Sequence, residues 1–167
     1  MQIMARVLIT GMSGTGKSTA VAGLRTRGFA AIDSDDPGWS SYATIAGAQE
    51  WVWNEDRVRT WLSTAADEHH FIAGCCCIQR RLYPFFDIKV LLTAPLATIL
   101  HRVEQRSNNP YGRTASDRAA IARDVADIEP LLYQQVDATL DSTQLDAKQI
   151  VTALIAFADR VIPQPAA

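Results

Sequence analysis

The chain has 167 residues, 48% of them hydrophobic and 20% charged, with a formal net charge of −2. That is enough for one domain with a proper core and too little for a comfortable second. The slightly negative balance argues against a binder of duplex nucleic acid, which normally carries a basic face, and no apolar run approaches the ~20 residues that span a membrane.

The start, Met1 to Arg6, leads straight into an apolar run and lacks the pattern of a signal peptide, so a cytoplasmic location is expected. Arg6 to Thr10 reads as a buried strand. It runs into Gly11-Met12-Ser13-Gly14-Thr15-Gly16-Lys17-Ser18, a complete G-x-x-x-x-G-K-[ST] phosphate-binding loop. Glycines let such a loop curl so that successive N–H groups point at an anion. Ser18 to Leu24 has a helical pattern, and its N-terminus adds a positive dipole end. Gly11, Ser13, Gly14, Thr15, Gly16, Lys17, Ser18 and Thr19 are therefore the candidate nucleotide contacts. Lys17 would reach the β- and γ-phosphates, and the Ser18 hydroxyl would hold Mg²⁺.

Phe29 to Ile32 is a short second strand ending at Asp33-Ser34-Asp35-Asp36. Pro37 to Gly47 reads as loop or irregular, and Asn54 to Ala66 as a helix. His70 to Gly74 and Ile88 to Thr93 are the third and fourth strands, and Leu96, Ile99, Leu100 and Val103 follow at helical spacing. Ser107 to Arg113 is a turn-rich break, after which Thr114 and Asp117 fit a capping box. Ala138 to Leu140 is a weak fifth strand, and Ile150, Val151, Leu154 and Ile155 mark a closing helix. Strands alternating with helices imply a parallel sheet between two helical layers, with ligands beyond the carboxyl ends of the strands. The three cysteines, Cys75, Cys76 and Cys77, are consecutive, which is no zinc spacing, and are expected as free thiols.

Phosphate loop, acidic strand end and arginine-bearing break, in this order, resemble the small P-loop kinases: the nucleoside monophosphate, shikimate and gluconate kinases. The resemblance implies a five-stranded parallel sheet of order 2-3-1-4-5 that serves transfer of the γ-phosphoryl of ATP to a small acceptor. Asp33-Ser34-Asp35 resembles the Asp-x-Asp of shikimate and gluconate kinases. This assigns Asp33 to the metal and Asp35 to the acceptor hydroxyl, with Asp36 a rival for the second role. A hydroxyl nucleophile needs alignment and a proton acceptor, and Mg²⁺ needs hard oxygens, so carboxylates suit both tasks. Arg102 and Arg106 resemble the Arg-x-x-x-Arg before the lid of monophosphate kinases, placing them at the nucleotide. Arg113 resembles the lid arginine that stabilises the transferring phosphoryl.

On the acceptor side, Trp39, Trp51, Trp53 and Trp61 all fall between the second strand and the end of the next helix. Trp39 reads equally as a stacking surface or as packing, and Trp53 and Trp61 as packing. Arg57, Gly74 and Arg81 are further acceptor candidates, Arg57 competing with Arg59 and Arg81 with Arg80. The chain departs from shikimate kinases in having cysteines after Gly74 and Glu129 in place of the arginine before Pro-Leu-Tyr. A carboxylate substrate would be repelled by Glu129. One domain over residues 1–162 is expected, with an acceptor segment near 34–66, a short lid near 107–114 and a tail at 163–167. The expected function is an Mg-ATP-dependent kinase, monomer or homodimer, acting on a nucleoside or nucleotide. The alternatives are a kinase of a sugar acid or other hydroxylated metabolite and a nucleotide-binding regulatory module with little turnover.

Overall fold

The apolar run Arg6–Thr10 becomes the central strand, β1, and four of its five residues are buried because helices cover both faces of the sheet. The computed structural model describes residues 4–64 and 68–161. Next come α1 (Lys17–Thr26), β2 (Ala30–Asp33), β3 (Ser40–Ile45), β4 (Ala48–Trp53), α2 (Glu55–Ser63) and β5 (His70–Ala73). A 3₁₀ helix (Gln79–Phe85), β6 (Ile88–Thr93), α3 (Leu96–Gln105), α4 (Ala115–Asp127), α5 (Glu129–Tyr133), β7 (Ala138–Asp141) and α6 (Ala147–Asp159) complete the order. Ala65 and Ala66 of the expected second helix, and the tail at 163–167, lie outside the described residues. Among the described residues, no helix is long and apolar enough to cross a membrane.

Five strands form one parallel sheet in the order β2-β5-β1-β6-β7. Setting β3 and β4 aside, this is the expected order 2-3-1-4-5. One face packs on α1 and α6, where Val21, Leu24, Ile150, Val151 and Leu154 meet Val7, Ile9, Phe71, Val90 and Leu92. The other face carries two clusters. Val58, Leu62, Leu82 and Trp53 cover Leu8, Ile32 and Ile72, while Ile99, Val103, Ile121 and Leu132 cover Met12 and Leu91. Each fully buried side chain of this kind is worth about 1.5–3 kcal/mol relative to exposure.

Helix starts follow their caps. Asn54 accepts from the Arg57 N–H at 3.1 Å. Thr114 and Asp117 form the expected capping box, and Asp146 with Gln149 forms a second.

The segment read as irregular, Pro37 to Gly47, instead supplies half of an antiparallel hairpin. β3 pairs with β4 from Ser40↔Trp53 to Ile45↔Ala48. Ala46 and Gly47 at the turn have φ of 49° and 85°, the left-handed pair that matches strand twist in a two-residue hairpin. The turn lacks an Asn-Gly or Asp-Gly signal, and most of the hairpin is not buried. Its strands therefore carry no apolar alternation to betray them.

Candidate functional site

The phosphate loop joins β1 to α1 at the carboxyl edge of the sheet, where Gly11, Gly14 and Gly16 all have positive φ. A Cβ on Gly11 would overlap the Leu92 carbonyl oxygen, and one on Gly14 would lie 2.8 Å from Val103 Cγ1. Glycine is required there by conformation and by space together. Thr15 is buried, and its hydroxyl donates to the Met12 carbonyl at 2.9 Å, so this side chain braces the loop. Lys17 Nζ donates to the carbonyls of Gly11 (2.6 Å) and Met12 (2.8 Å), arching over the loop. Burial pushes the Lys17 ammonium below its ordinary pKa, opposed by the charges of Cys75, Asp33 and Asp35. Thr19 is exposed.

Asp33 at the end of β2 accepts from the Ser18 hydroxyl at 2.5 Å through Oδ2. Its Oδ1 accepts the Asp35 N–H at 3.0 Å, the Asx turn that throws the chain out of the strand. Two hard oxygen donors beside a phosphate loop suit Mg²⁺, which fills the rest of its shell from phosphate and water. Among the described residues there is no group of three or more His, Cys, Asp or Glu placed to hold a metal. Asp35 accepts from the Trp51 indole N–H at 3.0 Å, and its charge acts on both Lys17 and Arg106. Asp36, the rival, is committed elsewhere: it accepts from Arg25 Nη2 at 2.5 Å and from the Asp33 N–H at 3.3 Å.

Arg102 ties three segments together. Its Nη1 donates to the Gly14 carbonyl (3.3 Å) and Ser142 Oγ (2.7 Å), and its Nη2 to the Ser142 carbonyl (3.0 Å). Arg106 Nη2 donates to Ser13 Oγ at 3.1 Å and to the Tyr111 carbonyl at 2.6 Å. Its buried Nε has no partner among the described residues, a donor beside the phosphate loop that an anion would satisfy. Burial pushes its guanidinium pKa down, opposed by Asp35 and Tyr111. Arg113 is exposed and donates to the carbonyls of Arg106 (3.1 Å) and Ser107 (3.5 Å), within the lid itself.

The acceptor candidates separate. Gly74 ends β5 against Ser34, where an added Cβ would overlap Ser34 Oγ and lie 3.0 Å from Trp53 Nε1. Arg57 instead lies over the Trp39 ring, 4.2 Å from its centroid, and Trp39 packs edge-on against Trp61. Arg81 is exposed and pairs with Glu55 at 3.6 Å, while Arg59 binds the same carboxylate at 2.7 Å. Trp61 stacks on the buried His70, and Trp53 is 3% exposed, both in packing roles.

Two groups had no signal in the sequence. Buried Gln79 bridges the Thr10 hydroxyl, the Cys76 N–H and the Tyr83 hydroxyl beneath the loop. Trp51 was one tryptophan of four until the hairpin brought it to Asp35. Cys75 and Cys76 are not activated. Burial pushes Cys75 up despite Lys17 and Thr10, and pushes Cys76 up to about 11. Burial also raises the carboxyl of Glu129, whose Oε2 has no partner among the described residues.

The fold is shared with known structures. Shikimate kinase from Acinetobacter baumannii, solved with shikimate, is 19% identical over 93% of this chain and 93% of its own, with a TM-score of 0.63. TT1252 from Thermus thermophilus is 18% identical over 92% and 97%, with a TM-score of 0.59. A sugar kinase from Janibacter, unliganded, is 17% identical over 97% and 100%, with a TM-score of 0.53. The chain thus has the architecture of small P-loop kinases. Residues 7–123 match the family model described as an AAA domain, and the chain belongs to that family.

Proposed function

We propose that the protein is an ATP-dependent phosphotransferase that moves the γ-phosphoryl of Mg-ATP to the hydroxyl of a small acceptor, a nucleoside or nucleotide first. A sugar acid or other hydroxylated metabolite is the competing acceptor. The observation that carries this reading is Asp35. It stands outside the phosphate loop, held by Trp51, with its charge acting on Lys17 and Arg106. A loop that only bound nucleotide would not need a carboxylate oriented there.

In this reading the loop N–H groups, Lys17 and Arg106 bind the phosphates, and Ser18 and Asp33 hold Mg²⁺. Bound with the nucleotide, Mg²⁺ offsets phosphate charge. Asp35 aligns the acceptor hydroxyl and takes its proton as the new oxygen–phosphorus bond forms. The bridging oxygen–phosphorus bond to ADP breaks and ADP leaves. Arg113 joins only on closure of the lid, exchanging carbonyl partners for the transferring phosphoryl.

The test is acceptor-dependent ADP release across nucleosides, nucleotides, sugars and sugar acids, with Asp35→Asn beside the parent. Removing a proton acceptor should cost roughly 10²–10⁴-fold in acceptor-dependent turnover and leave ATP binding intact. If no acceptor raises ADP release above the water background, the chain is instead a nucleotide-binding module with little turnover.

A further inference from the structure

The β3–β4 hairpin reaches Gly74 and Asp35, and its residues are specialised by face. Register places Tyr42 opposite Trp51 and Ser40 opposite Trp53, so Tyr42, Trp51 and Trp53 share one face. Trp53 closes that face at its base, its indole against Gly74 and its ring in the core. Two residues on, Trp51 reaches Asp35 with its N–H. Beyond it Tyr42 meets Trp51 edge-to-face, with ring centroids 5.0 Å apart. These two rings are 73% and 44% exposed, Tyr42 the more so. An aromatic corner left in water beside the candidate catalytic carboxylate is an open surface for a flat ring.

Charge narrows the class. Three of the four arginines that suit an anionic acceptor are engaged away from Asp35: Arg57 on Trp39, Arg59 and Arg81 on Glu55. A phosphorylated or carboxylated acceptor on the Tyr42–Trp51 face would meet the Asp35 carboxylate without those arginines; an uncharged or amine-bearing one would not be repelled.

We propose that the hairpin is the acceptor-recognition element, taking a hydroxylated ring without anionic groups on Tyr42 and Trp51, and that Trp51 is the positioning residue for Asp35. The inference rests on the phosphotransferase reading above and selects within it: nucleoside over nucleotide, sugar or amino sugar over sugar acid. Trp51 pins Oδ1 of Asp35; among the described residues Oδ2 has no hydrogen-bond partner and is left for the acceptor hydroxyl. Fixing one carboxylate oxygen from behind presents the other at a set angle, which is worth rate, not affinity.

The experiment pairs each uncharged or amine-bearing acceptor with its phosphate or carboxylate counterpart in the ADP-release assay. Uncharged members should be preferred at least ~10-fold in kcat/KM, nucleoside and sugar arms telling the two ring types apart. Trp51→Phe keeps an aromatic ring and removes the N–H; kcat should fall about 10-fold with KM within about twofold. Tyr42→Ala should raise KM about 5–10-fold with the smaller change in kcat. In an Asp35→Asn background Trp51→Phe should add little, since it acts through that carboxylate. Anionic acceptors used as well as neutral ones, or a Trp51→Phe loss that is fully additive with Asp35→Asn, would overturn the hairpin assignment while the kinase reading stands. If no acceptor raises ADP release, both fall.

Discussion

Gly74 is where the acidic strand end and the acceptor hairpin are locked together, and adding one methyl there tests that lock. Gly74 does not have a positive φ, so alanine meets no backbone penalty. The cost is steric: the new Cβ would overlap Ser34 Oγ, lie 2.7 Å from Ser34 Cβ and sit 3.0 Å from Trp53 Nε1. Ser34 cannot slide aside freely, because its N–H is bonded to the Ala73 carbonyl at 2.8 Å, nor can Trp53, which is 3% exposed. Overpacking of this kind costs about 1–3 kcal/mol. With a urea slope of about 2 kcal/mol/M, Gly74→Ala should lower the midpoint by roughly 0.5–1.5 M. Ser34 sits between Asp33 and Asp35, so acceptor-dependent turnover should fall with it. Ser34→Gly removes both clashing atoms, and the double variant should recover at least about 1 kcal/mol relative to additivity. A Gly74→Ala midpoint unchanged within error, or strict additivity with Ser34→Gly, would refute the close approach of β5 to the acidic turn.

Arg102→Met keeps the aliphatic stem and loses the three hydrogen bonds to Gly14 and Ser142. It should cost about 2–3 kcal/mol in a thermal melt and shrink the rise in Tm on adding ATP; an undiminished ATP-induced rise would rule out a nucleotide role for Arg102. In native protein at pH 8 an alkylating reagent should label exposed Cys77 quickly. Cys76, with its thiol pushed up to about 11, should be labelled only after unfolding. The same shift has a stability sign. The folded state holds the Cys76 proton more tightly, so that stabilisation is complete below pH 9 and is lost between pH 9 and 11, by about 3 kcal/mol at most. Urea midpoints at pH 8 and 10.5 should therefore converge in Cys76→Ala relative to the parent, and equal slopes would exclude the mechanism. Asp35→Asn and Trp51→Phe, set out above, test the acceptor side directly.

The sequence by itself determined the sheet and the phosphate loop because both are written in local codes. A buried parallel strand is a continuous apolar run, as in Val7 to Thr10. The phosphate loop confines its glycine, lysine and hydroxyl chemistry to Gly11 to Ser18, and capping boxes such as Thr114 with Asp117 span three residues. Tertiary structure decided what distance along the chain conceals. Asp35 and Asp36 are indistinguishable as letters. Only the fold gives Asp36 to Arg25 and Asp35 to Trp51, sixteen residues away. Arg57 suited an anion by residue type, yet its side chain found Trp39. The hairpin was hidden because it is mostly unburied, and without burial there is no apolar period to read. Its exposed aromatic face is also what makes it the candidate for the acceptor. The local code for the phosphate loop was legible residue by residue, whereas the proposed acceptor side depends on contacts that exist only once the chain has folded.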